Sequence, residues 1–406
     1  MEMAQRARAL QAQAQAQAQT QTHGQAEGLA RGGGREVISL ALGEPDFPTP
    51  GPVVEAACRA ARAGETRYPP LTGTPALKQA VRDKFARENG LDFADGEILV
   101  GNGGKQILFN ALMATLEPGA EVVIPRPYWA SYPLTVRMLG GTPVFVDCPE
   151  ADGFRLDAGA LAGAIGPRTR WVILNLPCNP TGASCDEAGL RAIADVLRRH
   201  PHVWILCDEI YEHLLFTSQS HRSLASLAPD LLPRLLILSG VSKTYAMTGW
   251  RIGFGAGPAR LIAAMSVVQG NATSGACSVS QAAAAAALRG DQGVVGVMRD
   301  TYRARRDRIV AALRAMPGVR CALPDGAFYA YPSIAGCIGR TSPGGRLIDS
   351  DKAFALALLE EQHVAVVQGS AFGMSPYLRL STAAADAALD EACRRMDAFC
   401  RGLTLA

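Results

Sequence analysis

The sequence predicts an α/β protein with a large, mostly parallel sheet covered by helices on both faces and a second, smaller α+β domain. Short continuous apolar runs recur and alternate with amphipathic stretches, which is what a sheet buried on both faces requires. The 406 residues exceed what one hydrophobic core organises. After about Val295 the texture changes, as a long basic helix and a few short strands replace the alternation.

Residues 1–34 carry Gln-Ala alternation from Gln11 to Gln19 and then Gly32, Gly33 and Gly34, with no apolar core like that of a secretory signal. They read as a disordered, low-complexity tail, and Arg6 and Arg8 resemble an organellar presequence only faintly. Residues 35–60 are expected to form an arm and part of the smaller domain, 61–295 the large domain and 296–406 the small C-terminal domain. Strands are expected at 98–100, 121–125, 142–147, 170–176, 203–208, 235–239 and 251–256, with a helix over 104–116. A second helix, over 185–200, is opened by Ser184 as N-cap with Glu187 three residues on, a capping box. The smaller domain is expected to hold a helix over 299–316, strands at 326–331, 364–367 and 377–380, and a terminal helix. No internal repeat of fixed period is present.

Composition narrows the function. Forty basic and 37 acidic residues leave a net charge of +3 with no basic stripe, so nucleic acid is not an expected partner. The apolar runs are too short and interrupted to cross a bilayer, so no membrane association is expected. Ten scattered cysteines form no CxxC pair or zinc spacing, which reads as reduced thiols in a cytoplasmic enzyme without a metal site.

The chemistry centres on Lys243. It follows an apolar strand, among Ser239, Ser242 and Thr244, and precedes Met247-Thr248-Gly249-Trp250-Arg251. Most lysines are surface residues, but one at the end of a buried strand is easily desolvated, which lowers its pKa and suits it to imine chemistry. Arg251 offers a planar fork of donors able to hold a phosphate. The run Ser-x-x-Ser-Lys-x-x-x-Met-x-Gly-Trp-Arg-x-Gly, from Ser239 to Gly253, resembles the cofactor-lysine signature of class I, fold-type I aminotransferases dependent on pyridoxal 5′-phosphate (PLP). The likeness runs from about Ser39 to Thr382 through several motifs in the family's order.

That resemblance assigns roles to the other motifs. Asn175-Leu176-Pro177-Cys178-Asn179-Pro180-Thr181-Gly182 is by itself a rigid turn. It resembles the family's Asn-Pro-x-Gly element, which implies that Asn179 bonds the cofactor's phenolic oxygen near the substrate α-carboxylate. Asp208 ends a buried strand, where a lone carboxylate is costly. A structural salt bridge would satisfy it, but the resemblance places it at the pyridine nitrogen, with Tyr211 donating to the phenolic oxygen. Gly103 and Gly104 form a turn at a helix start, where backbone N–H groups bind anions. With Lys105 they are assigned to the cofactor phosphate, although Lys105 can equally serve a second substrate carboxylate. Trp129 reads either as a core indole or, by resemblance, as the aromatic stacked on the pyridine ring. Tyr68 in Tyr-x-x-x-x-Gly resembles the tyrosine that reaches the phosphate of the neighbouring subunit, which implies a homodimer with shared sites.

For the substrate, Arg379 lies within an apolar strand, where a guanidinium needs a carboxylate partner, and the family's partner is the α-carboxylate. Gly43, in Gly-x-Pro-x-Phe with Phe47, is implied to approach the same group. The loop departs from the family at Gly240, where many members carry a phosphate-binding serine; Ser239 and Ser242 are the hydroxyls available instead.

The implied cycle has an amino acid displace Lys243 from its imine with the cofactor, after which the freed amine moves the Cα proton. The runs GGKQ, PYWxSY and AMTGWRIG look most like bacterial aspartate aminotransferases, so aspartate and 2-oxoglutarate are the expected pair. Prephenate or aromatic and alanine-type relatives are alternatives, as are C–S lyases and aminocyclopropane-carboxylate synthases of the same fold. A regulatory module would require a helix-turn-helix domain that the Gln-Ala tail does not supply.

Overall fold

The computed structural model describes residues 5, 6, 9, 36–218 and 220–405, so the expected tail over 1–34 lies almost wholly outside the described residues. The chain divides into two units. The larger comprises Pro45–Arg303 and Asp325–Ala327; the smaller takes the chain up to Glu44, Ala304–Pro324 and everything from Phe328 on. The first division thus falls at Glu44–Pro45, not at 60, because helix Gly51–Arg62 buries Val53 and Ala57 in the larger unit's core. The second falls within helix Gly293–Ala315, at Arg303–Ala304, not at 295.

In the larger unit seven strands form one sheet. They are β1 (Ile98–Gly101), β2 (Glu121–Arg126), β3 (Thr142–Asp147), β4 (Thr169–Asn175), β5 (Trp204–Asp208), β6 (Leu235–Gly240) and β7 (Gly253–Ala256). Their spatial order is β1-β7-β6-β5-β4-β2-β3. All neighbours are parallel except that β7 runs against both β1 and β6. The apolar runs are continuous because both faces are covered. On one face Leu235 and Ile237 meet Val53, Leu77, Leu190 and Ala284 of the surrounding helices. On the other, Leu236 and Leu238 meet Ile107, Tyr132 and Met265.

Two expected boundaries move for local reasons. The helix placed at 185–200 spans Glu187–Arg198, and its N-cap is Asp186, not Ser184. Asp186 Oδ1 accepts the Gly189 N–H over 2.8 Å, and Glu187 falls at the first helical position, where it pairs with Arg191 instead of closing a box. The strand expected from Arg251 begins at Gly253, because Arg251 is left-handed with φ 57°.

The smaller unit has its own core, in which Val37, Leu40, Ile309, Leu313, Phe354, Leu358, Leu380 and Phe399 are buried. Strand Leu378–Ser381 lies between Val367–Gln368 and Tyr329–Ala330, and Ile38–Ser39 pairs with Val364–Ala365. The strand expected over 364–367 is therefore two short ones. Among the described residues no helix is long and apolar enough to cross a membrane.

Candidate active site

Because β7 runs against its neighbours, it starts at the edge of the sheet where β1, β2, β4, β5 and β6 end. Ligands of open α/β sheets bind at this carboxyl-terminal edge. The register aligns Asn175 with Asp208, Asp208 with Leu238, Gly240 with Gly253, and Gly253 with Gly101. A Cβ on Gly253 would collide with the backbone of Gly103 and Gly104, so this glycine lets the turn after β1 fold over the rim.

Asp208 is buried on the face of β5 that carries Leu206. Its Oδ2 accepts the phenol of Tyr132 over 2.6 Å and its Oδ1 the Ile210 N–H at 3.3 Å. Burial pushes its carboxyl up to about 6 against the lowering effect of those two donors. Burial together with the Asp208 charge raises the Tyr132 phenol well above its ordinary value. Tyr132 has no role in the sequence reading. The signal for it was a tyrosine three residues beyond Trp129 at a helix start, since a buried phenol needs a partner. Asn175 ties the next turn to the same place, as its side chain donates to Asp208 O at 3.1 Å and accepts the N–H of buried Asn179 at 2.8 Å.

At the end of β1, Gly103 has φ 81° and caps helix Gly104–Met113. A Cβ there would run into the Arg251 guanidinium, whose Nη1 donates to Thr248 O over 2.8 Å. Lys105 Nζ sits 4.9 Å over the Trp129 ring, and Trp129 meets Tyr132 edge to face at 5.3 Å. Burial and the nearby Arg251 charge lower the Lys105 pKa. A helix N-terminus and two cations crowded together form a site suited to an anion.

Lys243 is half-buried in the turn after β6, beside buried Ser242, and Tyr211 is buried in the turn after β5. Ser239 lies elsewhere. It alternates with Leu238, which faces Gly104, so its hydroxyl emerges on the opposite face and donates to Glu212 over 3.0 Å. Tyr68 is 92% exposed.

Within the smaller unit, Arg379 is buried on strand Leu378–Ser381 between the rings of Tyr329 and Phe372, at 4.7 and 4.8 Å, and donates to Ala41 O over 2.6 Å. Gly43 approaches Tyr329 so closely that a Cβ would overlap its hydroxyl. Both residues expected to meet the substrate carboxylate thus converge on Tyr329.

A buried carboxylate with a phenol donor, an aromatic face, an anion-binding turn and a lysine at one sheet edge define a cofactor-dependent enzyme of the PLP type. Residues 35–396 match the family model for class I and II aminotransferases. The aspartate/prephenate aminotransferase of Cereibacter sphaeroides is 53% identical over 371 residues, covering 91% of this chain and 93% of that protein. The crystal structure of the Rhizobium meliloti aspartate aminotransferase superposes with a TM-score of 0.88 at 50% identity, covering 91% of this chain and 92% of that one. The Thermus thermophilus aspartate aminotransferase with maleate gives 0.85 at 35% identity, with 98% and 99% covered. The chain belongs to the class I and II aminotransferase family. Its architecture is fold-type I, and the family implies pyridoxal 5′-phosphate, which the donor set fits.

Proposed function

We propose that the chain transfers the amino group of L-aspartate to 2-oxoglutarate. The observation that carries this is the level of identity, 53% and 51% over nine-tenths of this chain, to relatives named aspartate/prephenate and aspartate aminotransferase. The relative solved with maleate, a four-carbon dicarboxylate, supports a dicarboxylate substrate. Prephenate as a second oxo-acid acceptor is favoured by the 53% identity to an aspartate/prephenate aminotransferase.

Bound pyridoxal phosphate supplies a carbonyl carbon for the amino group and a ring that takes up the electron pair left when Cα loses its proton. The chain's residues do the rest. Lys243 Nζ holds the cofactor and then accepts the Cα proton, a task suited to an amine near the working pH. Asp208 would hold a proton on the ring nitrogen, and Tyr132 keeps that carboxylate oriented. Tyr211 and Asn179 donate to the phenolic oxygen. The N–H groups of Gly103 and Gly104, with Ser242, Lys105 and Arg251, take the phosphate. Trp129 lies on the ring, and Arg379, with Gly43, takes the substrate α-carboxylate. Tyr68 reaches the phosphate of a second copy, so the working unit is a homodimer; its exposure supports this. Ten free thiols support a reducing, cytoplasmic setting.

Steady-state rates with a panel of amino donors and 2-oxoglutarate, and with prephenate as acceptor, test this reading. Aspartate is expected to give the highest kcat/KM. No turnover with aspartate would overturn it.

A further inference from the structure

The face of the sheet opposite the Gly103–Gly104 turn carries a charge network, built on a buried Lys84–Glu212 pair, outside the roles assigned above. Lys84 ends helix Pro75–Lys84 with its side chain 1% exposed, and its Nζ donates to Glu212 Oε1 over 2.6 Å. The same oxygen accepts the Ser239 hydroxyl at 3.0 Å. His213, the next residue, joins Thr244 Oγ1 through Nδ1 at 3.1 Å and Glu88 Oε2 through Nε2 at 2.9 Å. Glu88 in turn lies 3.6 Å from Lys84 Nζ. Although burial pushes the Glu212 carboxyl up, the Lys84 ammonium with His213 and His221 holds it well below the ordinary range.

Stability alone is a poor reason for such an arrangement, since the desolvation of a buried ion pair nearly cancels its attraction. Placement gives a better one. The β5–β6 register ends with Asp208 opposite Leu238, followed by one backbone bond from Glu209 N to Leu238 O. Past that point the two segments are joined by side chains, Glu212 to Ser239 and His213 to Thr244. Glu212 adjoins Tyr211 in sequence and Thr244 adjoins Lys243, so each link sits one residue from a group assigned to the cofactor. Lys84 anchors both, through Glu212 and through Glu88. Glu88, Glu212 and His213 bring three potential ligand atoms within 4.8 Å of one another, but the Lys84 ammonium already lies against the two carboxylates.

We propose that Lys84, Glu212, Ser239, His213 and Thr244 are positioning residues that fix the Tyr211 phenol relative to Lys243 Nζ, and so set the proton affinity at the lysine nitrogen when the cofactor is bound. The proposal rests on the roles given above to Tyr211 and Lys243. Each link acts from behind the sheet, without touching substrate or cofactor.

The test uses the cofactor-loaded protein and the double variant Ser239→Ala/Thr244→Val, which cuts both links without stranding a charge. Glu212→Gln and Lys84→Met/Glu212→Met follow as harsher versions. Three quantities are read: the pH midpoint of the cofactor's absorption, kcat and KM for aspartate, and the thermal midpoint. The absorption midpoint is expected to shift by about half a pH unit or more. The value of kcat is expected to fall about tenfold, the scale of one or two hydrogen bonds, with KM within about twofold. If the double variant keeps the wild-type absorption midpoint and kcat and changes only its melting, the network is structural and the proposal is wrong. Should the harsher variants fail to fold, the double variant decides alone. Cofactor absorption that is the same in Lys243→Ala as in wild type would instead overturn the underlying assignment of the lysine, and the proposal with it.

Discussion

The phenol of Tyr132 donates to Asp208 Oδ2 over 2.6 Å, and both residues are buried. The pair adds a donor that favours the ionised carboxylate in a place where burial opposes it. Its pH dependence follows directly.

The folded-state pKa of Asp208, about 6, lies above the ordinary 3.8, so the folded chain binds this proton more tightly than the unfolded chain. Stability of the cofactor-free protein attributable to Asp208 is therefore highest at low pH. It falls as the pH rises from about 4 through about 6 and then levels, by on the order of 3 kcal/mol. Tyr132→Phe removes a donor to the ionised form and extends the fall to higher pH. Urea unfolding of wild type and Asp208→Asn across this window measures it, and a difference between them that does not change with pH would contradict it.

Gly103 is expected to resist any side chain. Its φ of 81° penalises alanine, and a Cβ would displace the Arg251 guanidinium. Gly103→Ala is expected to lose about 1–2 kcal/mol of stability from backbone strain and to bind the cofactor about tenfold more weakly through lost anion contacts. Equilibrium dialysis of the cofactor checks the second effect, and unchanged affinity would refute it.

How much of this was legible in the sequence depends on what each residue's signal was. The seven strands showed because burial on both faces leaves continuous apolar runs, as in β6, and the rim motifs showed because strand ends, glycines and X-Pro steps mark it. Ser239 lies four residues before Lys243, as a phosphate ligand would, but alternation along β6 with Leu238 turns it to the other face. Ser184 completes a box pattern with Glu187 in the sequence, while the backbone begins the helix two residues later, with Asp186 as its cap. The Tyr132–Asp208 and Lys84–Glu212 pairs join residues 76 and 128 positions apart, and no local pattern announces a partner at that distance.

Gly240 stands where the resemblance to the family implies a phosphate-binding serine. A Cβ there would lie 3.0 Å from both Gly253 Cα and Ile252 O, which are backbone atoms that cannot swing away. Gly240→Ser is expected to cost about 1–3 kcal/mol by overpacking and to leave cofactor affinity no tighter. Thermal unfolding and cofactor titration check both, and a stable variant with tighter binding would show that the loop accommodates the hydroxyl.

The central claim is that Lys243 Nζ both holds the cofactor and moves the substrate proton. Single-turnover absorption spectra of the cofactor-loaded protein mixed with aspartate alone test it most directly, wild type against Lys243→Ala. Wild type is expected to be converted to the amine form of the cofactor and the variant is not, with a loss of several orders of magnitude in rate. Conversion of the variant at the wild-type rate would contradict it.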